Sequence, residues 1–223
     1  MQYHISTGLI VKHFEQNCNC PLCEMEKIVE TNICRELLAD GCMDDDVRKQ
    51  VNEMGFCLKH FEQLYEMPSK LGLSLQMTTR MNTIFKVVRQ PKSLKDAKKQ
   101  SKQLLKELES CIVCDFTAKE MIKYYKTIAQ LYSNEQEFKA MLKNSNAFCL
   151  KHYAKLLEYA QYAGFSQKEY LSTLYEIQNK RLKKSVQLLN DFSNRHDYRN
   201  LGKPLGEATT ALPRIKSDFF GKK

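Results

Sequence analysis

Apolar residues recur along this chain at three- and four-residue spacing. Met25, Ile28, Val29, Ile33, Leu37 and Leu38 share one face of a helix, and Gly41 suits its stop. Asp44 to Asp46 offer capping carboxylates to a short helix running to about Met54, with Gly55 beyond it. CLKHFEQLYEM predicts a third helix that ends at Pro68, and residues 71–89 a fourth. The order then returns. A helix is expected from about Asp115 to Tyr132, and Ser133 with Gln136 reads as a capping box for the next. CLKHYAKLLEYAQYA should stop near Gly164, and Ser166 with Glu169 should open a long helix to about Asn194. No stretch has the two-residue alternation of a strand, so the fold class is all-α.

Two further segments differ from this pattern. In residues 89–110, Leu94, Ala97, Ser101, Leu104, Leu105 and Leu108 form a narrow stripe, with Lys92, Lys95, Lys99, Lys102 and Lys106 opposite. That predicts an amphipathic connecting helix with a basic outer face. The last segment carries Gly202, Pro204, Gly206 and Pro213, and is expected to be an irregular tail. Its Leu205, Leu212, Ile215, Phe219 and Phe220 are available to dock it onto the body.

Composition agrees with helices: only 8 Gly and 5 Pro occur in 223 residues, and the hydrophobic fraction of 43% is that of a folded domain. The net charge of +9 is uneven. Residues 1–90 hold 10 Lys/Arg against 12 Asp/Glu; residues 91–223 hold 25 against 14. A basic second half points to an acidic partner. The opening MQYHISTGLIVKHFEQ is not a secretory signal, and no segment approaches the roughly 18 apolar residues of a membrane span. A cytoplasmic protein without membrane attachment is expected. Nine cysteines in that compartment are not a disulfide framework, which turns attention to metal ligation or redox chemistry.

The cysteines repeat. CPLC at 20–23 and GFCLKH at 55–60 return as CIVC at 111–114 and AFCLKH at 147–152. Cys20 to Cys111 and Cys23 to Cys114 are each 91 residues; Cys57 to Cys149 and His60 to His152 are each 92. Downstream, Phe61 matches Tyr153, Leu64 matches Leu156, Glu66 matches Glu158 and Gly72 matches Gly164. We read a duplicated module: 1–90, then the connecting helix 91–110, a second module 111–196, and the tail 197–223.

Each motif places two ligand-type residues three apart at a helix start, on one face. Pro21 suits a first helical turn. Within each module, a CxxC and a CxxH then supply three sulfurs and one imidazole: Cys20, Cys23, Cys57 and His60 in the first, Cys111, Cys114, Cys149 and His152 in the second. Positive helix ends favour thiolates. Zinc is the natural occupant of such a closed tetrahedral shell, two per chain, with a structural role. An iron–sulfur cluster or reduced thiols are the alternatives. Phe56 and Phe148 should wedge the CxxH helix starts into the core. Cys18, Cys34 and Cys42 have no repeated counterpart; Cys34 reads as core, and a role for Cys18 as substitute ligand or redox partner is the lesser alternative, because only Cys20 has the repeat's support. His4, His13 and His196 read as surface or core residues. Glu24, Glu26 and Asp115 read as first-turn acids favoured by the helix dipole.

CPLC, the D-V-R at 46–48, GFCLKHFEQLY, the LGLSL at 71–75, CIVC, FCLKHY and the DYRN at 197–200 resemble a bacterial family catalogued as domain of unknown function 6062. The resemblance spans nearly the whole chain and departs at KPLGEA, where an aromatic residue is expected. It implies an intracellular bacterial protein and supplies no activity.

No Gly-rich phosphate loop, HExxH or GxSxG is present, and no small-molecule substrate is identifiable. The reading is a zinc-binding module for a macromolecule, with nucleic acid the leading partner through the five lysines, or an acidic protein. The alternative is a thiol or metal sensor; an enzyme comes last.

Overall fold

A computed structural model of the chain describes residues 5–16, 18–195 and 206–221. Eleven α-helices and no strand occur among the described residues. The chain divides into two compact units, Ile28–Glu120 and the pairing of Met1–Lys27 with Met121–Lys223. These cuts differ from the expected ones at 90 and 111, and they fall inside two long helices.

The unit Ile28–Glu120 begins within α2 (Pro21–Leu38) and continues through α3 (Asp45–Met54), α4 (Leu58–Glu66), α5 (Lys70–Val87) and α6 (Leu94–Glu109) into α7 (Ile112–Asn134). Its core holds Val29, Ile33, Leu37, Val51, Leu64, Leu73 and Ile112. As expected, Asp44 caps α3: its Oδ1 accepts from the amides of Asp46 and Val47 at 2.9 and 3.0 Å, a cap worth about 1 kcal/mol. Gly55 closes the helix with φ of 61°. A Cβ there would stand 3.0 Å from Arg80 Nε, so both the backbone angle and the close approach of Arg80 favour glycine.

The connecting segment does form a helix, α6, but its apolar stripe is not buried. Leu94, Leu105 and Leu108 are exposed, and Ala97 and Leu104 only half-buried. α6 packs along α5. Polar ties hold it there. Gln100 Nε2 donates to the carbonyls of Val87 and Arg89 at 3.1 and 2.9 Å, and Arg89 pairs with Asp96.

The other unit contains α1 (Ile5–Glu15), the start of α2, the end of α7, α8 (Gln136–Lys143), α9 (Leu150–Glu158), α10 (Gln167–Arg195) and α11 (Ala211–Phe220). Its core includes Ile10, Phe14, Tyr125, Ile128, Tyr132, Phe138, Phe148, Leu156, Tyr170 and Leu174. The hydroxyls of Tyr132 and Thr173 are 2.8 Å apart, which satisfies a phenol that burial would otherwise leave costly.

Three expectations are corrected here. The Ser133 capping box does not form: Glu135 is the cap of α8, and Ser133 Oγ donates to Ser166 Oγ at 3.4 Å. Glu169 serves no capping box either; its carboxylate bridges to Lys139 at 2.8 Å. The tail is not irregular over its described part, since residues 211–220 are helical. Pro213 falls in the first turn of α11, where its missing N–H costs no hydrogen bond. The contact surface also differs. Ala208, Ala211, Ser217 and Asp218 are buried, whereas Leu212, Phe219 and Phe220 are exposed. Leu205 lies outside the described residues, as do His4 and His196. His13 is a core residue.

Candidate metal centres

All four motifs fold in one way. Cys57 and Cys149 are the N-caps of α4 and α9, in extended conformation, and their carbonyls accept the first helical hydrogen bonds, each at 2.9 Å. Cys20 and Cys111 likewise stand one residue before α2 and α7. The second ligand-type residue of each motif, Cys23, His60, Cys114 or His152, is then third in its helix. A two-residue spacer joins the cap to that third position, whose side chain faces back over the helix start. Two such starts meet in each cluster.

They meet in the opposite combination to the one the modules suggest. Cys57 and His60 group with Cys111 and Cys114, inside Ile28–Glu120. Cys20 and Cys23 group with Cys149 and His152, inside the other unit. The expectation that each module is stapled within itself is therefore corrected. We call these the short-loop and long-loop clusters, because 51 residues separate His60 from Cys111 and 126 separate Cys23 from Cys149. A long helix follows each CxxC, of 18 residues in α2 and 23 in α7, and the next α-helices, α3 and α8, have 10 and 8.

The donor sets fit a tetrahedral cation. In the short-loop cluster His60 Nδ1 lies 3.2, 3.3 and 3.3 Å from the sulfurs of Cys57, Cys111 and Cys114, and Cys57 Sγ lies 3.9 Å from Cys114 Sγ. In the long-loop cluster His152 Nδ1 lies 3.5, 3.4 and 3.2 Å from Cys20, Cys23 and Cys149, with 3.7 Å between Cys23 and Cys149. An ion bonded to sulfur at about 2.3 Å and to nitrogen at about 2.05 Å requires tetrahedral edges of roughly 3.8 Å and 3.5 Å. The observed separations match these edges within a few tenths of an ångström.

Burial opposes a charge on His60, but its contacts with Cys111 and Glu30 outweigh it and raise the ring pKa to about 10. Burial likewise opposes the Cys111 thiolate, yet His60 and the backbone amides of Cys57 and Cys114 hold it at about 6. In the long-loop cluster hydrogen bonds from Cys20 and Cys23 hold Cys149 far below the usual thiol range, and Cys20 is pushed up.

A carboxylate stands behind each imidazole, a feature the dipole argument missed. Glu30 Oε1 is 3.4 Å from His60 Nε2, and Glu26 Oε2 is 3.5 Å from His152 Nε2. Both are ion-pair contacts without hydrogen-bond geometry, and each sets a negative charge behind its ring. The lysine of each CLKH phrase holds the same carboxylate: Lys59 Nζ reaches Glu30 at 2.6 Å, and Lys151 Nζ reaches Glu26 at 2.5 Å.

Two buried arginines, also missed, hold the approaching loops. Arg80 donates to the carbonyls of Asn52 and Glu107 and pairs with the Glu107 carboxylate at 2.7 Å. Arg181 donates to the carbonyls of Asn19 and Asn146 at 2.6 and 2.8 Å and pairs with Asp218 at 2.6 Å. Each arginine thus ties the segment before a CxxC to the segment before its partner CxxH. Phe148 is fully buried as expected, while Phe56 is only half-buried.

Cys18 belongs to neither cluster; its thiol faces the His13 carbonyl at 3.8 Å. Cys34 is buried, and its thiol is pushed up to about 12, by burial first and then by Glu30 and Cys111. Lys92, Lys95, Lys99, Lys102 and Lys106 are all exposed.

A family model described as a family of unknown function (DUF6062) matches residues 1–222. The chain belongs to that family. Neither a curated protein nor a solved structure matches it. Among the described residues, no helix is long and apolar enough to cross a membrane.

Proposed function

We propose that this member of the family is a zinc-stapled helical protein, with one ion in each Cys3His cluster, that acts as a binding or regulatory module in the cytoplasm. The observation that carries this reading is the donor geometry: tetrahedral edge lengths occur twice, and each imidazole is backed by a carboxylate. Zinc suits three thiolates and one imidazole, and a shell filled by four protein ligands leaves no position for a substrate, so the role is structural. The recurrence of both motifs in register supports descent of the two halves from one module. Elemental analysis of protein purified without added metal tests the reading. Two zinc per chain are expected; a folded protein with none overturns it, and an iron-containing preparation replaces zinc with iron.

The partner side rests on the five exposed lysines on and just before α6. They suit an anionic macromolecule, nucleic acid first. A real set of phosphate contacts gives binding that falls steeply with salt. Binding to duplex or single-stranded nucleic acid that is absent, or unchanged by Lys95→Glu, Lys99→Glu and Lys102→Glu together, rules this partner out.

A further inference from the structure

The two clusters offer the same donors at the same spacing, and they differ in access. In the long-loop cluster Cys20, Cys23, Cys149 and His152 are 3, 8, 1 and 0% exposed. Gly221, the residue that ends α11, covers it. A Cβ at this glycine would stand 2.6 Å from Cys23 Sγ and 3.6 Å from Cys149 Sγ, so its bare backbone lies directly on the sulfurs. The φ of 73° there also favours glycine. Asp218, one turn earlier and fully buried, fastens α11: it accepts from Arg181 Nε and from Ser185 Oγ, both at 2.6 Å. In the short-loop cluster Cys111 and His60 are buried, but Cys114 is exposed and Cys57 half-exposed. These two accessible sulfurs are the ones 3.9 Å apart.

We propose that the short-loop cluster is a reactive thiol–metal site, at which hydroperoxides oxidise Cys114 and Cys57 to a disulfide and release the ion, while α11 seals the long-loop cluster against the same reaction. This rests on the metal reading above: both ions staple the fold, and the short-loop cluster adds a redox response through its accessible sulfurs. The Cys114 thiolate attacks the terminal oxygen of the hydroperoxide. The O–O bond breaks, the alkoxide leaves and takes a proton from water, and Cys114 becomes a sulfenic acid. The Cys57 thiolate then attacks that sulfur; the S–S bond forms, and hydroxide leaves as water with a second proton. The two sulfurs lose two electrons and the hydroperoxide gains them. The sulfurs must close from 3.9 Å to about 2.05 Å, a local movement at a helix start. The ion is left with Cys111 and His60 and dissociates. Spacing alone does not choose this cluster, because Cys23 and Cys149 are 3.7 Å apart in the other. Access does, since an oxidant must reach the thiolate it oxidises.

The test uses the full-length zinc protein, titrated with hydrogen peroxide in the presence of a zinc-release dye, then quenched by alkylation and mapped by mass spectrometry. Half of the bound zinc is expected to leave first, together with a Cys57–Cys114 disulfide and unoxidised Cys20, Cys23 and Cys149. Gly221→Ala, which pushes a methyl group onto Cys23, is expected to make the second half leave with the first. Wild-type protein that releases both ions together, that oxidises Cys23 or Cys149 first, or that releases zinc only when denatured overturns the proposal and leaves the metal reading intact. A zinc content near zero before any peroxide is added overturns both.

Discussion

The long-loop and short-loop clusters are chemically one site built twice. Each has three sulfurs and an imidazole at the starts of two helices, with a carboxylate behind the ring and an arginine across the loops. What differs is outside the ligands: the length of chain that each closes, and whether a further segment covers it. The difference teaches that donor chemistry sets what a cluster can hold, whereas the surrounding chain sets how firmly and how accessibly it is held.

The largest expected effect comes from removing a ligand on each side of the comparison. Cys149→Ser and Cys57→Ser should each lose one zinc of two by elemental analysis, with loss of structure confined to the affected unit. Metal-binding energy in such sites is largely folding energy, about 10–16 kcal/mol in small zinc modules, so removing one ligand forfeits several kcal/mol. Cys149→Ser should be the worse. Its cluster closes a loop of 126 residues rather than 51, and the additional closure entropy is about 0.8 kcal/mol. Equal urea midpoints for the two variants would show that loop length does not separate the clusters.

The arginines come next. Arg181 and Asp218 are 4 and 0% exposed, so Arg181→Ala strands a buried carboxylate and should cost about 3–5 kcal/mol. Glu107, the partner of Arg80, is 21% exposed and can be rehydrated, so Arg80→Ala should cost less. Chemical denaturation of both variants checks the order. If Arg80→Ala proves the more damaging, its carbonyl contacts with Asn52 and Glu107 outweigh the ion pair.

Glu26→Gln and Glu30→Gln probe the carboxylates behind the rings. An amide keeps the shape but removes the charge that faces Nε2 and the ion pair with Lys151 or Lys59. Changes of this kind lower metal affinity about 10–100-fold, or about 1.4–2.7 kcal/mol. Chelator competition on each variant should show one weakened ion and one unchanged. Two weakened ions in a single variant would mean that the clusters are not independent.

How much of this was legible in the sequence depends on the range of the interaction concerned. The helices from Pro21 to Glu66 were readable because periodicity, Asp44 and Gly55 all act locally. The eight ligand-type residues were readable because they recur at 91- and 92-residue spacing. Their combination was not read correctly, because either CxxH can complete either CxxC by local chemistry. Arg80 and Arg181 left no local signal. Each sits one residue among many on an amphipathic helix, and they lie 20 and 29 residues after His60 and His152. α6 was readable from its periodicity, which acts locally, whereas the exposure of Leu94, Leu105 and Leu108 depends on neighbours that periodicity does not describe.

The smallest effect concerns the residue two places before each CxxH. Gly55 and Ala147 both take a positive φ, of 61° and 67°. The glycine does so at little cost, whereas left-handed backbone costs an alanine about 1–2 kcal/mol. Ala147 is almost fully buried, so its methyl contributes about 0.8 kcal/mol of burial in return. Ala147→Gly should therefore stabilise the protein by less than about 1 kcal/mol, read as a small rise in the urea midpoint at unchanged slope. Gly55→Ala should be destabilising instead, since its methyl would meet Arg80 Nε at 3.0 Å and disturb the arginine that holds the short-loop cluster. If Ala147→Gly destabilises the chain, the packing of that methyl beside Phe148 matters more than the strain. The left-handed turn would then be a consequence of core packing at the long-loop cluster and a backbone requirement only at the short-loop one.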